Sequence, residues 1–252
     1  TVNITVLDCD TGSPTHCRIN VVGPDGNYYE PTENDFKLHS LTGVWPGSGW
    51  GNRPGKAPVR YLGRFFYSNG TASVQVPDGT IRVEVWKGFE YQPVTLTSHV
   101  VAGQTKEVTL QLSKSVPMDA HGYWSGDPHI HIQRLDHTDD QRILGLMQAE
   151  DIHYGSILAY NEPAGPYSGF MKRMDAPQIK GTGGRSTKTQ GSYFIQSGQE
   201  YRSSSYGHLN LYLLDELVMN AQSNNADNWP PFGHVGQLAH DAGGVSFYAH
   251  GG

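Results

Sequence analysis

Gly126-Asp127-Pro128-His129-Ile130-His131 is the stretch from which the second half of this chain is read. On a strand, residues two apart project to the same side, so Asp127, His129 and His131 share one face. Two imidazoles on a rigid strand form a ready pair of metal ligands. Twelve histidines in 252 residues make one such pair an ordinary coincidence, so the pair alone decides little. The ordered set behind it carries more. Gly198-Gln199-Glu200, Gly207-His208-Leu209-Asn210-Leu211 and the run from Gly243-Gly244-Val245 to Ala249-His250 each set a metal-ligand type beside the end of an apolar run. Clustered metal centres need this mixture: imidazoles for affinity and a carboxylate to balance charge.

Around these motifs, strand-like and helix-like runs alternate, the pattern of an α/β architecture. Thr138 and Gln141 fit a capping box for a helix over about 138–151, with Ile143, Leu144 and Met147 on its apolar stripe. Residues 156–160 read as a buried strand, 192–201 and 209–214 as further strands, and 244–249 as a last one. A helix is expected over 234–242, closed by Gly243. Residues 161–191 read as a long polar loop, rich in Gly and Pro, that shapes a substrate mouth.

The first 113 residues read as all-β. Val2, Ile4 and Val6 alternate with polar residues, as do Cys17, Ile19 and Val21, then Ile81, Val83 and Val85, then Val108, Leu110 and Leu112. Period-two alternation buries one face of a sheet and wets the other. Gly23-Pro24-Asp25-Gly26, Pro77-Asp78-Gly79 and Ala102-Gly103-Gln104 punctuate the runs, so a small sandwich is expected. Within the Gly-, Pro- and Trp-rich stretch 38–64, Trp45 and Trp50 either form a sugar-binding platform or, more commonly for such residues, pack an ordered loop. Residues 114–121, with Pro117, read as a linker and 122–252 as a second domain.

Composition sets the outer bounds. There are 31 Gly and 15 Pro, and charged residues make up 17%, which favours short strands and ordered loops over helical bundles. The net charge of −6 argues against a general nucleic-acid binder. No apolar run approaches the ~20 residues that span a bilayer. Cys9 and Cys17 flank a turn-rich segment, placed either for a disulfide or as two buried thiols. The chain opens in a strand-like pattern at Thr1, as a mature form without its leader would.

At His129, His131, Glu200, His208 and His250 the chain resembles the PHP (polymerase and histidinol phosphatase) superfamily, in particular its carbaryl-hydrolase-like branch. At the opening strand and turn, at Val76-Pro77-Asp78-Gly79-Thr80, at Lys87-Gly88-Phe89-Glu90-Tyr91 and at Val101-Ala102-Gly103-Gln104-Thr105, residues 1–113 resemble the carboxypeptidase-regulatory-like or transthyretin-like sandwich. The resemblance implies a small all-β sandwich followed by a distorted α/β βα barrel holding two or three ions. His129 and His131 would be the first ligand pair, Glu200 the bridging carboxylate, and His208 and His250 later single ligands. Two features depart from that pattern. Leu158-Ala159-Tyr160 stands where the family carries Thr-Asp-His, leaving Glu162 or His153 as substitutes, and the barrel breaks off at Gly252. The expectation is therefore that a missing C-terminal segment or a partner chain completes it.

The resulting functional expectation is an extracellular or periplasmic metal-dependent hydrolase. His129, His131 and Glu200 would be catalytic. Zn, or else Mn or Fe, would activate water against an ester, amide, carbamate or phosphoester of a small-molecule or glycan-derived substrate. The rivals are a non-catalytic extracellular structural or adhesive protein and a carbohydrate-binding module using Trp45 and Trp50. Asp127 reads as an orienting residue. His121, His137, His234 and His240 read as surface or loop residues, and Arg202 and Lys172 as solvated. Asp139 and Asp140 read as helix-start acids. Glu150 and Asp151, acids where that helix ends, are a mild functional hint without a role.

Overall fold

The computed structural model describes residues 1–36, 64–132, 134, 137–160, 183–203, 207–215 and 231–249. The chain divides into two compact units. One comprises Thr1–Trp124 with Gly145–Ile152, the other Ser125–Leu144 with His153–Gly252.

The first unit is built from two sheets. β1 (Val2–Asp8) lies between β5 (Thr71–Val74), antiparallel to it, and β8 (Lys106–Leu112), parallel to it. The second sheet has the order β3 (Tyr28–Tyr29), β2 (Cys17–Val22), β6 (Gly79–Trp86), β7 (Val94–Val100), with β4 (Phe66–Ser68) also paired to β2. The alternating residues of β1, β2, β6 and β8 are the buried ones. Val2, Ile4, Val6, Ile19, Val21, Ile81, Val83, Val85, Val108, Leu110 and Leu112 form a single core. Each such side chain contributes about 1.5–3 kcal/mol when fully buried, so this alternation is what holds the unit together.

The cysteines do not pair. Cys17 is fully buried in that core and Cys9 is exposed, and both are free thiols. Burial pushes the Cys17 thiol up to about 12, only partly offset by nearby Lys87. The two acids at the helix end also have structural partners. Glu150 Oε1 accepts from Arg18 Nε at 2.6 Å and from the Tyr67 hydroxyl at 2.5 Å. Asp151 is buried at φ 53°, within 3.9 Å of Lys114 Nζ, and its Cβ crowds Gly88. A Cβ on Gly88 would lie 2.6 Å from it, so this approach requires glycine.

The second unit is a six-stranded mixed sheet with one helix and the first part of another among the described residues. Its order is β14 (Val245–Ala249), β13 (Gly207–Tyr212), β12 (Tyr193–Ser203), β10 (Tyr154–Tyr160), β9 (Gly126–Ile130), and β11 (Gly183–Gln190) also pairs with β12. The β9–β10 and β10–β12 pairs are parallel; β11–β12, β12–β13 and β13–β14 are antiparallel. α1 (His137–Glu150) connects β9 to β10, and α2 (Phe232–Asp241) precedes β14.

This corrects the expected fold. A βα barrel needs parallel strands each returned by a helix, whereas β11 and β13 run against the other four strands and three of the five pairings are antiparallel. The tight turn at Gly191, φ 60°, folds β11 onto β12 within the stretch read as loop. The chain is therefore mostly β in both units. Trp45, Trp50, Glu162, Lys172 and His250, and the side chains of His137 and Arg202, lie outside the described residues. No helix among the described residues is long and apolar enough to cross a membrane.

The second unit holds a buried ion pair that the sequence reading missed. Arg134 Nε donates to Asp140 Oδ1 at 2.6 Å, and its two terminal nitrogens donate to Ser197 Oγ at 2.9 Å and the Ser186 carbonyl at 2.6 Å. Three charge-assisted bonds compensate the desolvation of this guanidinium. Asp140 thus anchors the start of α1, beyond any electrostatic effect on the helix terminus. Asp139 instead takes Arg142 on the same helix at 3.0 Å.

Candidate metal centre

Strand register builds the site. In the β12–β13 ladder Glu200 stands opposite Asn210 and Arg202 opposite His208. Residues two apart share a face, so Glu200, His208 and Asn210 belong to one side of the sheet. β12 can carry Glu200 there because Gly198 precedes it. A Cβ on Gly198 would meet the Leu211 carbonyl at 2.8 Å and Leu158 at 3.0 Å, so the sheet closes only around a bare backbone.

His129 and His131 arrive from β9 and the residues just after it. Asp127 Oδ1 accepts from the His129 backbone N–H at 2.9 Å, and the Tyr212 hydroxyl donates to the Pro128 carbonyl at 2.9 Å. Asp127 therefore shapes the backbone under His129 and does not touch its ring through this bond. Tyr212 was not singled out from sequence; its signal is the period-two series His208, Asn210, Tyr212 on one face of β13.

The side chains converge on one carboxylate. His131 Nε2 lies 2.9 Å from Glu200 Oε2, His208 Nδ1 2.6 Å from Oε1, and His129 Nε2 3.4 Å from Oε1. The Nε2 atoms of His129 and His131 are 2.9 Å apart, and the ligand atoms of His129, His131 and Glu200 all lie within 4.8 Å of one another. The Glu200 side chain is 1% exposed, while those of His129, His131 and His208 are 20%, 27% and 24% exposed. The carboxylate forms the floor and the imidazoles an open rim.

Burial alone would raise the Glu200 carboxyl. The hydrogen bond from His131 and the charges of His131, His208 and His129 outweigh it and bring the group down to about 2. A carboxylate kept ionised among imidazole nitrogens is a donor set that suits Zn, Mn or Fe. Such an ion supplies Lewis acidity to a water or carbonyl oxygen at its open side.

The structure thus brings together four of the five residues singled out as ligands, His129, His131, Glu200 and His208. His153 is elsewhere. It lies at the opposite end of β10 from Tyr160, which pairs with Glu200, and its ring stacks on Tyr193 at 4.5 Å and meets Ser125 Oγ at 3.0 Å. It does not replace the absent Asp-His pair. His121, His234 and His240 are exposed.

In comparisons with known proteins, no family model matches the chain and no curated protein matches it in sequence. The solved structures yield a backbone protein of the group B streptococcus pilus 2b, with a TM-score of 0.29 and 10% identity. The match covers 47% of this chain and 42% of that one. A likeness this slight assigns neither fold nor role. The PHP and carboxypeptidase-regulatory-like memberships are corrected accordingly, and with them the hydrolase designation. No family model supports either, and the mixed sheet is not the barrel that the first requires.

Proposed function

We propose that this chain binds a divalent transition-metal ion through His129, His131, Glu200 and His208. The ion would serve as a structural tie among β9, β12 and β13. One observation carries the reading: three imidazoles meet a single buried carboxylate, with contacts of 2.6–3.4 Å. These residues come from three strands, the adjacent β12 and β13 and, beyond β10, β9. Ligands from separate strands couple ion binding to folding, because the unfolded chain does not present them together. The test is calorimetric titration of the chelator-treated protein with Zn, Mn and Fe(II), paired with thermal unfolding. Saturable binding near one equivalent or more, with a rise in Tm, supports the reading. No binding by wild type, or equal binding by Glu200→Gln, overturns it.

A second reading is favoured by the exposure of the three imidazoles, between 20% and 27%. An open rim leaves room for an exchangeable water on an ion held there. Cobalt substitution separates the two. A visible spectrum that shifts on adding azide shows an exchangeable position; an unresponsive spectrum leaves only the structural role.

A further inference from the structure

We propose that Asn210 is a positioning residue for His129, serving both tautomers of its ring by a half-turn of its amide. The proposal rests on His129 being a ligand through Nε2, as read above. Asn210 is fully buried, and its side-chain nitrogen lies 3.3 Å from His129 Nδ1. The other ring nitrogen, Nε2, faces Glu200 Oε1 and His131 Nε2. A neutral imidazole carries one N–H and one lone pair, and the partner at one nitrogen decides what the other offers.

With the Asn210 nitrogen turned to Nδ1, an N–H donates to the Nδ1 lone pair, and the tautomer that fits this orientation carries its proton on Nε2, toward Glu200. Ligation through Nε2 needs the reverse: a lone pair at Nε2 and a proton at Nδ1. The ring's proton count does not change; one proton leaves Nε2 for water and another reaches Nδ1. Nδ1–H then needs an acceptor. The Asn210 Oδ1 atom is buried and has no hydrogen-bond partner among the described residues. A half-turn about the terminal torsion brings it to Nδ1. An amide is the one side-chain group of this size that presents a donor and an acceptor on the same plane. A carboxylate only accepts, and an aliphatic residue does neither. Asn210 stands directly opposite Glu200 in the ladder, so it is held where it can act on His129 without itself reaching the ion.

The test is the nitrogen-15 spectrum of His129 at pH 8 in wild type, Asn210→Asp and Asn210→Leu, each with and without Zn. Circular dichroism checks that each variant folds. Metal-free wild type is expected to show the Nε2–H tautomer and Asn210→Asp the Nδ1–H tautomer. Asn210→Leu should weaken Zn binding about 10–100-fold, and Asn210→Asp should keep it. If the metal-free tautomer is the same in wild type and Asn210→Asp, the inference is wrong. If wild type binds no Zn, the metal reading fails, while the metal-free comparison still decides the role of Asn210. Should Asn210→Leu not fold, the Asn210→Asp spectrum alone is sufficient.

Discussion

His208 pairs in register with Arg202, yet its Nδ1 lies 2.6 Å from Glu200 Oε1, two residues away along β12. The side chain leans along its strand to reach the carboxylate. Glu200 thereby becomes the hub of three imidazoles that arrive from two directions.

That hub has a pH signature in the metal-free protein. The Glu200 pKa is depressed from 4.5 to about 2, so its stabilising contribution is fully present above pH 4.5 and is lost as pH falls towards 2. The contribution should be of order 2 kcal/mol once solvent screening through the exposed rim is allowed for. Urea unfolding of wild type and Glu200→Gln between pH 2 and 5, with chelator present, should show the stability gap between them closing as pH falls. A gap independent of pH would mean that the carboxylate is not held by imidazolium partners.

The buried Arg134–Asp140 pair should respond very differently from its neighbour. Asp140→Ala strands a desolvated guanidinium and should cost about 3–5 kcal/mol. Asp139→Ala breaks a pair on α1 whose Arg142 side chain is 26% exposed, and should cost less. Denaturant midpoints of the two variants check this, and equal losses would contradict the network described.

Thiol labelling should separate the two cysteines. In the native protein Cys9 should react and Cys17 should not, because its thiol is buried and its ionisation pushed up to about 12. Unreduced protein in denaturant should yield two reactive thiols. Protection of both would indicate the disulfide that the structure lacks, and its absence removes cysteine pairing as an argument for an oxidising compartment.

Strand positions were legible wherever one face is apolar and the other wet. Ile4 on β1, Val83 on β6 and Leu110 on β8 are buried in the alternation that announced them. The topology of the second unit was not legible in the same way. Strand direction depends on connections, and β11, with the polar run Gly183–Gln190, has no hydrophobic alternation to mark it. Its pairing comes from the turn at Gly191 and the neighbouring β12.

At the site, His129, His131, Glu200 and His208 stood out because imidazole and carboxylate groups are conspicuous near apolar runs. Asn210 and Tyr212 did not, because amides and phenols are common on strands. Their roles follow from register across β12 and β13, which one strand's sequence does not contain. Arg134 was hidden for the same reason: its partners Ser186 and Ser197 are 52 and 63 residues away.

The central claim, a metal centre on Glu200 and its imidazoles, is tested most directly by metal content and Tm in one set of proteins: wild type, His129→Ala and the exposed control His234→Ala. After dialysis against Zn and removal of excess, wild type and His234→Ala should retain equal metal. Zn at about 100 times Kd should raise their Tm by about 10 °C. His129→Ala should lose most of the metal and most of that rise. Equal metal and equal Tm shifts in all three proteins would place any bound ion elsewhere and contradict the account.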